Sequence, residues 1–228
     1  MDMDKTPLLP SIELSTGKTP DASVIWLHGL GADGNDFVPI VPELRLPASL
    51  SVRFVFPHAP VRPVTINNGM SMRAWYDVLA ADIASRADLA GVAASQKAIE
   101  ALIAHETSRG IPARRIVLAG FSQGGVIALH TGLRHRERLA GIVALSAYLV
   151  AAERLPDEAS TANRDVPIFM AHGDADPMVR TAWGEASRHA LEAAGYRVEW
   201  HAYRMQHAVV LEEIQAIGAF LARVLAPA

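Results

Sequence analysis

Short apolar runs separated by segments with helical spacing constrain this chain more than any other feature. "SVIWLHG" (23–29), "SVRFVFP" (51–57), "RRIVLAG" (114–120), "LAGIVALSA" (139–147), "VPIFMAHG" (166–173) and "YRVEWHAYR" (196–204) read as strands. Most are apolar throughout rather than at alternate positions, as strands buried on both faces are. The segments 88–110, 124–135, 180–195 and 208–225 carry apolar residues at helical spacing. Strands alternating with helices require a mostly parallel sheet covered by helices on both faces. "SIELST" (11–16) is placed as an antiparallel edge strand. Residues 57–77 break the rhythm. Pro57, Pro60, Pro63 and the run Asn67-Asn68-Gly69 predict a long ordered loop without regular structure. That loop leaves the C-terminal end of a central strand, where open α/β sheets bind ligands.

The 228 residues suit one α/β domain, read over 1–228, with the composition of a globular protein: half hydrophobic and a fifth charged. A formal net charge of −3 argues against nucleic acid or an anionic membrane held on a basic surface. The absence of cysteine excludes disulfides, thiolate metal sites and a cysteine nucleophile. Acidic residues near the N-terminus and the lack of any run of ~20 apolar residues make the cytoplasm the expected compartment, with no stable membrane insertion.

After the strand "RRIVLAG" comes "GFSQGG", in which Gly120, Ser122 and Gly124 match G-x-S-x-G. In the strand–turn–helix context that pattern is a nucleophile elbow. The serine sits in a sharp turn with its hydroxyl raised above the sheet, and the new helix aims its first N–H groups at the reacting centre. A serine hydroxyl is a poor nucleophile until a base takes its proton, so an acid and then a histidine should follow in the chain. "AHGDADPMV" offers Asp174 and Asp176 just past a strand, and both qualify. Of the nine histidines, His207 alone follows the last strand and opens the last helix, so it is the expected base.

"HGLGADG" (28–34) also fits the G-x-G-x-x-G spacing of a dinucleotide-binding loop, through Gly29, Gly31 and Gly34. Asp33 would repel a pyrophosphate, however, and the next strand ends in Phe56-Pro57 rather than in the acid that holds a ribose. The elbow supplies a better reason for these glycines. An oxyanion hole takes one N–H from the residue after the nucleophile, here Gln123, and a second from a loop after an early strand. Leu30, between two glycines, would supply that second amide.

With those residues placed, the chain resembles the acyl-protein thioesterase/lysophospholipase group of the α/β-hydrolases, and among them the bacterial carboxylesterases. The matching pieces are "VIWLHGLGADGNDF", "FVFPHAPVRPVTINNGMSMRAWYD", "RIVLAGFSQGG", "GIVALSAYL", "HGDADPMV" and "LEEIQAIGAFL", in family order over about 21–226. The resemblance implies a single-domain α/β-hydrolase fold without a lid domain. It implies Ser122 as nucleophile, Asp176 as triad acid, His207 as base, and Leu30 and Gln123 as oxyanion donors. It further implies no metal and no cofactor, and small-molecule carboxylic, thio- or lysophospholipid esters with short to medium acyl chains; a homodimer stays open. Trp75 is the candidate pocket wall, with loop packing as its equal alternative. Gln206 stands where the family usually has glycine, and a long polar side chain beside the base is expected to alter substrate range. The rivals are a peptidase or acyltransferase on the same scaffold and a catalytically silent binding protein.

Overall fold

The computed structural model describes residues 7–80 and 88–226. The sheet at its centre has seven strands: β1 (Ser11–Ser15), β2 (Ala22–Leu27), β3 (Val52–Pro57), β6 (Ile116–Phe121), β7 (Gly141–Leu145), β8 (Ile168–Gly173) and β9 (Val198–Tyr203). Their spatial order is β1-β3-β2-β6-β7-β8-β9, with β1 antiparallel to β3 and every other pairing parallel. The strands apolar throughout are the central ones: every residue of β2, β7 and β8 is buried. Alternate side chains feed two cores. Val24 and Trp26 face one side of β2, while Ile25 and Leu27 face the other. Helix α1 (Leu89–Ser108) and helix α2 (Gln123–Arg134) cover the face of Ile25 and Leu27. Helix α5 (Leu211–Val224) covers the opposite face through Ile217, Phe220 and Leu221. The short helix α3 (Leu155–Glu158) and helix α4 (Thr181–Ala193) complete the set. This is the α/β-hydrolase fold in a single domain. No helix among the described residues is long and apolar enough to cross a membrane.

Local chemistry explains the boundaries. Asp88 caps α1 by accepting the Gly91 N–H at 2.9 Å, and α1 gives way to Gly110 at φ 93°. Helix α5 begins at Leu211, three residues later than its apolar spacing predicts. Residues 57–77 depart further from expectation. They contain an antiparallel hairpin, β4 (Val61–Val64) with β5 (Met70–Arg73). Pro63 is exposed on this two-stranded ribbon, where a missing N–H breaks no shared ladder. Asn68 and Gly69, at φ 55° and 74°, are the left-handed pair that closes the turn. Pro57 closes β3, while Pro63 and the Asn-Gly pair are edge and turn devices of the hairpin, not breakers.

The cores also hold titratable groups. Glu213, in the first turn of α5, is 0% exposed, and burial pushes its carboxyl up to about 8. Burial lowers His28, His130, His135 and His172 from their ordinary 6.5, His130 to about 4. The two effects act on stability in opposite directions. The unfolded chain ionises Glu213 from about 4.5 while the folded chain keeps its proton until about 8, so this contribution is lost as pH rises between those values. The unfolded histidines take up protons below 6.5 and the folded ones resist, so theirs is lost as pH falls. Thermal melts across pH 5–9 (roughly the window these shifts define) should therefore show Glu213→Gln flattening the alkaline decline, with little gain at the acid end. An equal rise in Tm at every pH would contradict the buried neutral acid.

Candidate active site

The elbow forms because the backbone leaves no room for anything larger than glycine. Ser122 sits at φ 54°, ψ −122°, a region that costs a non-glycine residue about 1–3 kcal/mol. A Cβ on Gly120 would run into the Gly124 carbonyl, and one on Gly124 would run into the Leu27 carbonyl at the end of β2. The first turn of α2 is thereby pressed against β2, with Ser122 between strand and helix.

Three loops at the C-terminal edge of the sheet then meet. The Ser122 hydroxyl lies 2.9 Å from His207 Nε2, and His207 Nδ1 lies 2.7 Å from Asp176 Oδ2. Because an ionised carboxylate only accepts, His207 carries its proton on Nδ1 and offers Nε2 to the serine. Asp176 is 7% exposed, and its other oxygen accepts the N–H groups of Met178 at 2.8 Å and Val179 at 3.0 Å. Asp174, the alternative acid, is exposed, and its backbone N–H serves the sheet edge by donating to Tyr203 O at 2.9 Å. The His207 ring packs on Phe121 with centroids 4.7 Å apart. His207 lies in the loop before α5 rather than on the helix.

The "HGLG" loop is fastened from both sides. His28 is buried; its Nε2 accepts the Ala59 N–H at 3.1 Å, so its Nδ1–H donates to Gly29 O at 2.7 Å. Gly31 N–H donates to Arg73 O at 2.9 Å, tying the loop to the hairpin. Leu30 lies between these two ties and lines the same cavity as Ser122. Gln123 is the first residue of α2, so its N–H has no intrahelical acceptor. Its side chain is occupied elsewhere, accepting Trp75 N–H and donating to Tyr76 O, each at 2.7 Å.

The cavity over Ser122 has a volume of about 590 Å³. Ile66, Met72, Val78, Met178, Val179 and Trp183 give it apolar walls, and Asp36 and Arg180 add charge. Tyr76 and Tyr148 also line it, their hydroxyls 3.0 Å apart, and burial raises both phenols, Tyr148 to about 12. These two tyrosines were not singled out from sequence. Tyr148 stands just past a central strand, at the edge where ligands bind, and that position was the signal available. Two other expectations are corrected. Trp75 does not line the cavity: it is fully buried, donating from Nε1 to His28 O at 2.9 Å, and its neighbour Tyr76 faces the cavity instead. Gln206 is exposed, does not line the cavity and has no positive φ, so nothing there requires glycine or crowds the base.

Known proteins resemble this chain in sequence and fold. Acyl-protein thioesterase 1 of Neurospora crassa is 43% identical over 225 residues, covering 94% of this chain and 89% of its own. Acyl-protein thioesterase 1 of Yarrowia lipolytica is 38% identical over 216 residues, covering 92% and 95%. The crystal structure of Arabidopsis thaliana SOBER1 superposes with a TM-score of 0.84 at 31% identity, covering 90% of this chain and 99% of that one. Zea mays acyl-protein thioesterase 2 gives 0.83 at 29%, covering 95% and 99%. The narrower resemblance to bacterial carboxylesterases is not supported, since these relatives are fungal and plant proteins. Residues 11–225 match the phospholipase/carboxylesterase family, and the chain belongs to that family of ester hydrolases.

Proposed function

We propose that this hydrolase cleaves carboxylic and thioesters of short to medium acyl chains through a Ser122 acyl-enzyme. The observation that carries the reading is the continuous Ser122–His207–Asp176 hydrogen-bond chain opening into an apolar cavity of about 590 Å³. His207 Nε2 takes the Ser122 proton as the oxygen attacks the carbonyl carbon, and Asp176 holds the resulting imidazolium. The N–H groups of Leu30 and Gln123 receive the oxyanion; a lost donor of this kind costs ~10²–10³ in turnover. His207 then protonates the departing alcohol or thiol, and water repeats the sequence on the acyl-enzyme. The volume lies within the range of about 300–1,000 Å³ that encloses small ligands, and its apolar walls suit an acyl chain.

A second substrate reading rests on the relatives' names. Acyl-protein thioesterases at 38–43% identity favour an S-acylated protein as the thioester. Rates on an oxygen ester, the matching thioester and an S-acylated peptide with one common acyl group separate the two. A peptide rate far above that of the simple thioester selects the protein substrate.

Ser122→Ala should abolish turnover and fluorophosphonate labelling while leaving circular dichroism unchanged. A variant that keeps most of its rate would overturn the assignment. Asp176→Asn should lower kcat by a factor of the order of ~10⁴, the loss that follows when a triad histidine loses its orienting anion. Asp174→Asn should change kcat little, and steady-state kinetics that reverse this ranking would move the role to Asp174. Gln206→Gly should leave kcat and KM on every ester near parental and cost about 0.4–1 kcal/mol of stability through chain entropy alone. A shift in acyl preference would show that the Gln206 side chain reaches the substrate after all.

A further inference from the structure

His172 is the penultimate residue of β8, 0% exposed, and has no place in the hydrolytic steps above. Its Nε2 lies 2.8 Å from Val179 O, so Nε2 carries the proton and donates it. Its Nδ1 is buried without a hydrogen-bond partner among the described residues. The same Nε2 is 3.6 Å from Asp176 Oδ2, the oxygen that accepts the His207 N–H. Val179 is gripped at both ends of its backbone, its carbonyl by His172 and its N–H by Asp176 Oδ1 at 3.0 Å. The imidazole therefore holds the residue that holds the acid.

The surroundings are cut to fit this ring. Gly184 lies inside α4, where glycine weakens a helix relative to alanine. A Cβ at that position would collide with His172 Nδ1 and approach both His172 Cε1 and Trp200 Cη2 to 3.0 Å. The ring of Trp200 covers the imidazole at 6.1 Å. Burial disfavours the imidazolium; Asp176 and Glu185 pull the other way, and His207 adds to the burial effect. A cation here would be a second positive partner for Asp176 Oδ2, competing with the imidazolium that forms on His207 during turnover.

We propose that His172 is a positioning residue for ester hydrolysis: as a neutral imidazole it fixes the Asp176–Val179 turn and leaves the charge of Asp176 to His207. The inference rests on the triad reading above. Its test compares His172→Leu, His172→Gln and Gly184→Ala with the parent, using Ser122→Ala as control. The readouts are kcat and KM on a soluble ester, the pH profile of kcat/KM, and the far-downfield proton resonance of the His207–Asp176 hydrogen bond.

His172→Leu should lower kcat on the order of 10- to 100-fold, as does loss of an outer hydrogen-bond partner in metal sites, with KM unchanged. The acid limb of the pH profile should move down, because a poorly held carboxylate stabilises the imidazolium less, and the downfield resonance should shift or vanish. His172→Gln, whose amide can donate to Val179 O without ever becoming charged, should recover most of the rate. Gly184→Ala improves the helix but displaces the ring, so it should lower kcat with KM unchanged; it carries the same test should His172→Leu fail to fold. Parental kcat and resonance in folded His172→Leu or Gly184→Ala would overturn the proposal. So would a glutamine variant no better than leucine, with KM raised in both. If Ser122→Ala remains active, the triad reading itself falls; if it is dead while the His172 variants are parental, only this inference does.

Discussion

The catalytic geometry depends on a contact between two stretches of backbone. The first turn of α2 packs directly on the end of β2, and glycine at 120 and 124 is what permits that closeness. The strained turn at Ser122 persists because strand pairing on one side and helix packing on the other over-determine it. The same contact brings the Gln123 amide and the "HGLG" loop to one place, so the proposed nucleophile and the proposed oxyanion donors share a single support. A methyl group at either glycine would move all of them together.

Around this support the polar groups are tied in neutral pairs. His28 holds the "HGLG" loop with one nitrogen as donor and the other as acceptor. Trp75 and the side chain of Gln123 pin the segment after the hairpin to the elbow. Burying a charge costs far more than burying a hydrogen-bonded neutral group. Uncharged imidazoles and indoles are therefore suited to building a rigid shell around a site that must itself develop charge. Asp176 is the buried carboxyl among them, and it is fully partnered, by the backbone N–H groups of Met178 and Val179 on one oxygen and by His207 on the other.

Sequence made the sheet legible because its central strands are buried on both faces and so carry unbroken apolar runs. The elbow was legible for a steric reason: only glycines fit two positions either side of Ser122. The choice between Asp174 and Asp176 was not available from spacing, since the two differ in burial and in which backbone N–H groups reach them, and both depend on how the turn closes. The hairpin escaped because proline and Asn-Gly mark loops and hairpin turns alike, and only the pairing of β4 with β5 separates the two. The two readings of Trp75, pocket wall and loop packing, could not be separated for a related cause. Trp75 and Tyr76 are adjacent aromatics, and which one faces the cavity is fixed by a hydrogen bond to a backbone carbonyl, His28 O, that leaves no trace in residue type. Gln206 marked a departure from the family pattern without a structural demand behind it.

The chain order of the strands has a temporal consequence. Ser122 follows β6, in the middle of the sheet, whereas His207 comes 85 residues later and follows β9, one of its two edge strands. In chain order the "HGLG" loop and the elbow come first, and His207 is the last of these residues to be synthesised. Pairing of β9 with β8 is the step that brings His207 to Asp176 and Ser122. Contacts so distant in sequence carry a larger loop-closure cost, and folds dominated by them fold slowly. Hydrolysis through the proposed triad therefore requires the β9 edge to be docked, and the onset of activity on refolding would report that docking.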